Sequence, residues 1–285
     1  MSGLAASNAV FQEDRLLQQH QAALTLMQVM LDDPEVTSFS WLDLACGKGQ
    51  ILAHIDKTLN QQQRSKIKFY GYDLNNDYAS ITEELAEKNG FSSTNVEVGD
   101  IYRFSDIFNN GVKFDFITLT NTTHEVNPHR LASVVFDCLD RLSPRGCLFA
   151  YDMEILPENE LGAIPWKKEE FERIIHEMLK SIGVENYRPG AGRFPHRTCT
   201  AWGIQVKKDI LLREIKEPIA TDKRDNALGQ VGKAIQQIMA NRAEECQREL
   251  DVLTKYGCQT EEEKNGEIRS LYEFWALQRA IRLAP

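Results

Sequence analysis

Apolar residues over the first two thirds of the chain fall into short runs that alternate with helical patterns. The runs are rich in aromatic and β-branched residues, and FDFITLT and GCLFAY show little strict alternation of apolar and polar positions. Such runs are typical of strands that helices cover on both faces. The alternation of strands with helices predicts βαβ units around a mostly parallel sheet, which is a doubly wound α/β fold. The predicted strands lie at residues 39–45, 66–73, 94–100, 113–120, 146–153 and 198–206.

Helical patterns also occur towards both ends of the chain. Apolar residues at three- and four-residue spacing within residues 9–31 stop before Asp33, which predicts an N-terminal helix. The same spacing recurs late in the chain as far as Gly257, a residue type that commonly ends helices. A further helical pattern covers residues 261–282. Together the two late patterns predict a helical hairpin.

The pattern changes after residue 208, and this change predicts two parts of the chain. Residues 1–208 form the α/β domain and residues 209–285 form a helical extension. The apolar stripe within residues 226–282 must be covered, because exposed apolar helix faces promote association. It packs on the α/β domain, or it serves a protein partner or self-association, and the sequence leaves both alternatives open.

Composition and charge exclude several classes of function. The net charge of −9 over 285 residues argues against a globally basic nucleic-acid binder. The chain has no uninterrupted apolar stretch of membrane-spanning length, and its first twenty residues lack the basic start and apolar core of a signal peptide. Six cysteines without any CxxC pair indicate reduced thiols rather than disulfides or a zinc site. We therefore expect a cytoplasmic protein without membrane contact.

The loop after the first predicted strand, ACGKGQ, is a candidate ligand site. In doubly wound folds, ligands bind at the carboxyl ends of the strands. The loop lacks the GxxxxGK[ST] pattern of a P-loop, and Leu52 stands where a GxGxxG fingerprint needs its third glycine. Both phosphate-binding interpretations lose support. What remains is Asp43 at the strand end, followed by Gly47 and Gly49, which permit positive φ and close approach to the backbone.

These residues resemble a known family. LDLACGKG is similar to the first motif of class I S-adenosylmethionine (SAM)-dependent methyltransferases, D-x-G-x-G-x-G, with Ala45 in place of the first glycine. The resemblance continues in order over residues 40–207. It implies a seven-stranded, mostly parallel, Rossmann-like sheet whose last strand is antiparallel, and it implies SAM as the cofactor.

The resemblance also assigns residues to the cofactor. Asp73 ends the second strand where the family holds the two ribose hydroxyls, and an ionised carboxylate suits two O–H donors. Asp100 follows the third strand and resembles the residue that accepts a hydrogen bond from the adenine amine, with Ile101 beside the ring. The full set of expected cofactor-binding residues is Asp43, Ala45, Gly47, Gly49, Asp73, Leu74, Asp100, Ile101 and Asn121.

The segment TNTTHEVNPHR after the fourth strand is the candidate catalytic segment. His124 and Glu125 resemble a pair found in plant-type small-molecule O-methyltransferases, in which the histidine is the general base. Histidine is the natural base near neutral pH. The resemblance therefore implies that His124 and Glu125 are catalytic.

The same segment argues against a metal. HEVNPH differs from the zinc-protease motif HExxH by one spacer residue, and Pro128 would disturb a helix that carried both histidines. The magnesium-dependent catechol type has carboxylates where this chain has Thr120, Asn121 and Thr122. We therefore predict no metal.

The sequence favours a SAM-dependent methyltransferase that acts on a small molecule, at oxygen, with nitrogen left open. Arg188, Arg193, His196 and Arg197 lie on a Gly/Pro-rich loop, residues 187–197, and arginine forks would suit an anionic acceptor. A solvated surface loop is the competing interpretation. Two other functions remain open: methylation of RNA or protein, and a catalytically silent SAM-binding scaffold subunit that acts through the C-terminal helices.

Overall fold

The computed structural model describes residues 18–108, 111–156, 160–196, 199–214, 221–258 and 260–283. A seven-stranded sheet has the order β3-β2-β1-β4-β5-β7-β6. β1 pairs in parallel with β2 and β4, β2 with β3, and β4 with β5. The strands are β1 Phe39–Leu44, β2 Ile67–Asp73, β3 Ser93–Val98, β4 Phe114–Thr120, β5 Leu142–Met153, β6 Gly190–His196 and β7 Cys199–Lys207.

Helices connect the strands and complete the chain. The α-helices are α1 Gln18–Leu31, α2 Gln61–Arg64, α3 Asn76–Lys88, α4 Phe104–Ile107, α5 Pro128–Arg141, α6 Lys168–Ser181, α7 Lys208–Glu214, α8 Thr221–Tyr256 and α9 Glu261–Arg282. Short 3₁₀ helices lie at Leu52–Lys57 and Ile101–Arg103. The predicted doubly wound α/β fold with seven strands is confirmed. Strand order reverses between β1 and β4, the position at which such sheets bind ligands.

The central strands are apolar on both faces because both faces are buried. Trp41 and Leu42 of β1 and Phe116 and Ile117 of β4 are all fully buried. The Trp41 indole N–H donates to Thr118 Oγ1 at 2.9 Å, so the one polar atom of this side chain has a partner inside the sheet. This packing explains why the strands lack an alternating pattern.

The chain divides into two compact units. One contains the described parts of Met1–Asn121, Val134–Tyr151 and Gly203–Arg213. The other contains those of Thr122–Ser133, Asp152–Trp202 and Glu214–Pro285. The domain boundary expected at residue 208 stays a prediction.

The terminal helices follow the sequence pattern. α1 occupies the described part of the predicted helix at residues 9–31, and residues before 18 lie outside the described ones. α8 ends before Gly257, which has φ of 73°. α9 begins at a capping box, in which Thr260 and Glu263 each accept a hydrogen bond from the other's backbone N–H. The helical hairpin is thus formed by α8 and α9. Among the residues that the structure describes, no helix is long and apolar enough to cross a membrane.

One segment differs from expectation. Residues 187–197 were expected to form a loop, but the structure places β6 at Gly190–His196. β6 is the edge strand in the sheet order. Pro195 is tolerated there because an edge strand leaves one side without ladder hydrogen bonds.

Candidate functional site

The turn after β1 has an unusual backbone. Ala45, Gly47 and Gly49 have φ of 59°, 56° and 74°, all in the left-handed region. Glycine adopts this conformation without the strain that a side chain adds. A Cβ atom at Gly49 would also stand 3.2 Å from Thr82 Oγ1, the hydroxyl that donates to the Gly47 carbonyl at 2.9 Å. The glycines therefore allow a tight turn that packs closely against Thr82.

Asp73, at the end of β2, is held against this turn. Its Oδ2 accepts from the Gly47 N–H at 2.8 Å, and its Oδ1 accepts from the Asn75 N–H at 2.8 Å. Each carboxylate oxygen has a second lone pair, so both can accept one more hydrogen bond. This arrangement fits a ligand that offers two neighbouring hydroxyls. The adjacent Leu74 side chain is 75% exposed.

Asp100 lies two residues after β3, at the start of the 3₁₀ helix Ile101–Arg103. Its carbonyl accepts from the Tyr72 hydroxyl at 3.1 Å, and its Oδ1 accepts from the Tyr102 N–H at 3.0 Å. Gly99 is required here because a Cβ would collide with the Tyr72 hydroxyl. Asp100 is exposed and Ile101 is half-buried. These contacts fix the backbone at the end of β3 and leave the carboxylate open to solvent.

Asn121 follows β4 and is the second non-glycine residue with positive φ among those that the structure describes, at 53°. Asparagine tolerates this conformation better than most residues. Its backbone N–H donates to the Tyr151 carbonyl at 2.8 Å. The left-handed bend ends β4 and begins the segment that carries His124.

Asp43 is a buried carboxyl group at the end of β1. It is 2% exposed, and its Oδ1 accepts from the Thr118 hydroxyl at 2.7 Å. Burial raises the pKa of Asp43 to about 7, an effect that the Thr118 hydrogen bond opposes and the charge of Asp73 reinforces. A cationic ligand group would favour the ionised form of this carboxyl.

We expect Asp43→Asn to stabilise the protein at alkaline pH. Because the pKa of Asp43 is raised in the folded state, its stabilising contribution is full below about pH 4 and is lost as the pH rises towards about 7. Asparagine cannot ionise and keeps an acceptor for Thr118. At pH 8 the free energy of unfolding of the variant should exceed that of wild type by at most about 4 kcal/mol, from about 1.4 kcal/mol per pKa unit. At pH 4 the two free energies of unfolding should be nearly equal.

Urea denaturation of wild type and variant at the two pH values measures this difference. Asp56→Asn, at an exposed position, is the control, and its effect on the free energy of unfolding should be the same at pH 4 and pH 8. An Asp43→Asn effect that does not change with pH would contradict the prediction.

His124 and Asp152 form a buried pair. Asp152, near the end of β5, is fully buried. His124 Nδ1 lies 2.7 Å from Asp152 Oδ1, which also accepts from the Met153 N–H at 2.8 Å. Oδ2 accepts from the Thr123 hydroxyl at 2.5 Å and from the His124 N–H at 3.0 Å. The buried carboxylate is thus fully hydrogen-bonded and fixes the ring through Nδ1.

The other ring nitrogen faces two further carboxylates. His124 Nε2 lies 3.3 Å from Glu160 Oε2 and 3.8 Å from Glu125 Oε1. Two hydrogen bonds position the backbone of this segment. The Tyr272 hydroxyl donates to the Glu160 carbonyl, and four residues later the Ile164 N–H donates to the His124 carbonyl at 2.8 Å. His124, Glu125 and Glu160 form the acidic histidine cluster.

The cluster changes the protonation of His124. Burial alone lowers its pKa, but the charge of Asp152 and the hydrogen bonds to Asp152 and Glu160 raise it to about 10. The pKa of Asp152 is lowered: burial opposes this, but the charge of His124 and its hydrogen bond outweigh it. An imidazolium ring, which carries a proton on both nitrogens, cannot accept another proton. The general-base role of His124 therefore stays a prediction that requires this proton to be displaced.

Neither Asp152 nor Glu160 is among the site residues predicted from the sequence. Asp152 carried a signal, because it is a carboxylate in an otherwise apolar run, GCLFAYDM. Because buried carboxylates need partners, Asp152 predicts a histidine or arginine close to it. Glu160 carried no such signal, since no regular pattern surrounds it.

The arginines expected to bind an anion have other contacts. Arg193 contacts Glu154 at 3.0 Å and Glu169 at 2.5 Å. Arg188 lies 3.4 Å from His176 Nδ1. Arg197 and the side chain of His196 lie outside the described residues. An anionic acceptor stays a prediction.

Comparisons with known proteins agree with this architecture. Residues 37–154 match a family model described as a methyltransferase domain. No curated protein sequence matches the chain.

Two solved structures have similar folds. One is magnesium protoporphyrin IX methyltransferase from Synechocystis PCC 6803 with bound SAH, at 11% identity and a TM-score of 0.51, covering 73% of this chain and 94% of that one. The other is the plantazolicin methyltransferase BpumL with a pentazolic desmethylPZN analog and SAH, at 16% identity and a TM-score of 0.51, covering 71% and 89%. At these identities the likeness shows the fold alone.

Proposed function

We propose that this chain transfers a methyl group from SAM to an oxygen or nitrogen atom of a small molecule. Support comes from the methyltransferase domain model that residues 37–154 match and from the fold shared with a methyltransferase solved with SAH. The observation that carries the proposal is the coupling of the left-handed turn at Ala45–Gly49 to the Asp73 carboxylate through the Gly47 N–H. This arrangement places a tight glycine turn beside a fixed pair of acceptors.

The residues of the first compact unit fit SAM as the cofactor. When bound, SAM supplies a methyl group activated by its sulfonium. Asp73 would accept hydrogen bonds from the two ribose hydroxyls, and Asp100 would accept from the adenine amine. Gly47 and Gly49 would leave room for the amino-acid part, and the buried Asp43 would favour a cation nearby. Ala45, Leu74, Ile101 and Asn121 would line the same ligand.

The segment at residues 122–127 is proposed to take the acceptor. It follows β4 directly in the chain, and it carries His124 and Glu125. A buried ring fixed by Asp152 and flanked by carboxylates suits the binding of a group that carries a proton or a positive charge. This chemistry supports a heteroatom acceptor. It does not distinguish oxygen from nitrogen.

The solved neighbours do not narrow the acceptor further. One is a magnesium protoporphyrin IX methyltransferase and the other a plantazolicin methyltransferase. Methylation of RNA or protein is therefore an outcome of the test rather than a second proposal.

The experiment is a transfer assay with methyl-labelled SAM against separate metabolite, RNA and protein fractions. We expect the protein to bind SAM with 1:1 stoichiometry in calorimetry and to move label into the metabolite fraction. An Asp73→Ala sample is the control, because its loss of label shows that transfer depends on the proposed site. Label in the RNA or protein fraction would contradict the small-molecule acceptor and identify RNA or protein as the acceptor instead. SAM binding without transfer to any fraction would favour a catalytically silent subunit.

A further inference from the structure

The acidic histidine cluster has the dimensions of a metal site. His124 Nε2, Glu125 and Glu160 offer ligand atoms that all lie within 4.8 Å of one another. Ligands of one ion bound at about 2.1 Å stand roughly 3.0 to 3.5 Å apart. The separations of 3.3 and 3.8 Å around Nε2 need only small side-chain adjustments. We propose that His124, Glu125 and Glu160 bind a divalent metal cation.

Asp152 holds the histidine as a metal ligand requires. A ligating histidine commonly donates its second ring N–H to a carboxylate, which fixes the tautomer and the direction of the free nitrogen. His124 has this arrangement, with Nδ1 at 2.7 Å from Asp152 and Nε2 directed at the two glutamates. The ring is 3% exposed, so the surrounding protein limits its rotation.

The charge around the ring also favours a cation. Three carboxylates, Asp152, Glu125 and Glu160, surround one imidazole, so the group is negative when the ring is neutral. This charge lies close to one nitrogen, because Glu160 Oε2 is 3.3 Å and Glu125 Oε1 is 3.8 Å from Nε2. A divalent cation at Nε2 would offset part of this negative charge. Glu125 and Glu160 are exposed enough for an ion to enter from solvent.

The donor set limits the kind of cation. One imidazole with two carboxylates suits first-row divalent ions such as Mn²⁺, Fe²⁺ and Zn²⁺, whereas Mg²⁺ prefers oxygen ligands and retained waters. Three protein ligands leave coordination positions for a water or an acceptor oxygen. The site is therefore of the open kind that takes part in chemistry.

A role for the ion rests on the proposed function. An acceptor hydroxyl bound at an open position would lose its proton to solvent more readily, because the cation lowers the pKa of bound oxygen. The oxygen electron pair then forms the bond to the methyl carbon while the carbon–sulfur bond breaks, and sulfur keeps that electron pair. His124 would act as a ligand in this scheme, and the cation would replace it as the means of activating the acceptor.

The test measures Mn²⁺ binding to the full chain after treatment with EDTA and dialysis. Mn²⁺ is the probe because it favours nitrogen and oxygen ligands over the thiols that this chain also carries. We expect one equivalent to bind in calorimetry, with loss of the free Mn²⁺ signal in electron paramagnetic resonance. Glu160→Gln and Glu125→Gln should each weaken binding about tenfold or more.

The exposed Glu244→Gln in α8 is the matched control and should bind Mn²⁺ like wild type. Neither cluster glutamate is buried, so folding of their variants is not at risk. Absence of a one-equivalent site in wild type, or equal Mn²⁺ affinity of Glu160→Gln and Glu244→Gln, would overturn the proposal. SAM affinity is measured on the same samples. SAM binding without Mn²⁺ binding would overturn only the metal site. Mn²⁺ binding without SAM binding would overturn only the proposed methyltransferase function.

Discussion

Replacing His124 by asparagine is expected to lower methyl transfer about 100- to 10,000-fold, the range for loss of a positioned acid–base group. Asparagine can still donate to Asp152 in place of Nδ1, so the buried carboxylate keeps a partner. The change removes Nε2, which is the atom that faces Glu125 and Glu160. A base and a metal ligand would both act through Nε2, so turnover should fall in either case. Transfer assays with an identified acceptor measure the effect.

Asparagine is preferred to alanine at this position because it keeps a hydrogen-bond donor for Asp152. His124→Ala would leave Asp152 as a buried charge without its main partner, and breaking such pairs commonly costs about 3 to 5 kcal/mol. A loss of activity could then reflect unfolding. Thermal melting of His124→Asn should lie close to wild type. His176→Asn, at a half-buried histidine of α6, is the matched control and should keep full turnover.

SAM affinity separates a catalytic defect from a cofactor defect. His124→Asn changes none of the residues assigned to SAM and keeps a donor for Asp152, so the variant should bind SAM normally. Near-normal turnover by His124→Asn would show that the acceptor needs neither a base nor a cation at this position. An amine that reacts by proximity alone would then be the better interpretation.

The strands could be predicted because their pattern reflects local burial. Phe116, Ile117 and Leu119 of β4 are consecutive or near neighbours in sequence, and all are fully buried. Such runs need no knowledge of distant contacts. β6 was missed for the opposite reason: its Gly and Pro residues favour a loop locally, and only a place at the edge of the sheet makes them a strand.

The turn after β1 could also be anticipated, since its residues are adjacent in the chain. Gly47 and Gly49 have the positive φ that the glycine pattern permits. The sequence predicted only two members of the acidic histidine cluster, and it did not predict Asp152, which holds the ring. His124 and Glu125 are neighbours, but Asp152 and Glu160 come from β5 and the segment after it, more than 25 residues further along the chain. Tertiary contacts alone bring them together.

The absence of a metal was predicted from Thr120, Asn121 and Thr122, which lack carboxylates. That prediction stays untested, and the metal proposal rests instead on carboxylates from other positions, Glu125 and Glu160. A rule based on one position in a motif would not detect ligands that a different segment supplies.

Replacing Asp73 by alanine should weaken SAM binding by about 2 to 4 kcal/mol, from roughly 1.5 to 3 kcal/mol per hydrogen bond to a charged group without full additivity. This corresponds to about 30- to 1,000-fold in the dissociation constant. The loss has two sources. The two ribose hydroxyls lose their acceptors, and the Gly47 N–H loses the carboxylate that holds the left-handed turn in place. Isothermal titration calorimetry measures the change.

Asp73→Asn separates these two sources of affinity. Its amide oxygen can still accept from Gly47, but it offers one neutral acceptor where the carboxylate offers two charged oxygens. We therefore expect its SAM affinity to fall between those of wild type and Asp73→Ala. Asp77→Asn, exposed in the first turn of α3, is the matched control and should bind SAM like wild type. Wild-type SAM affinity in a folded Asp73→Ala protein would remove the assignment of this carboxylate to the cofactor, because no ribose contact of the expected strength could then run through it.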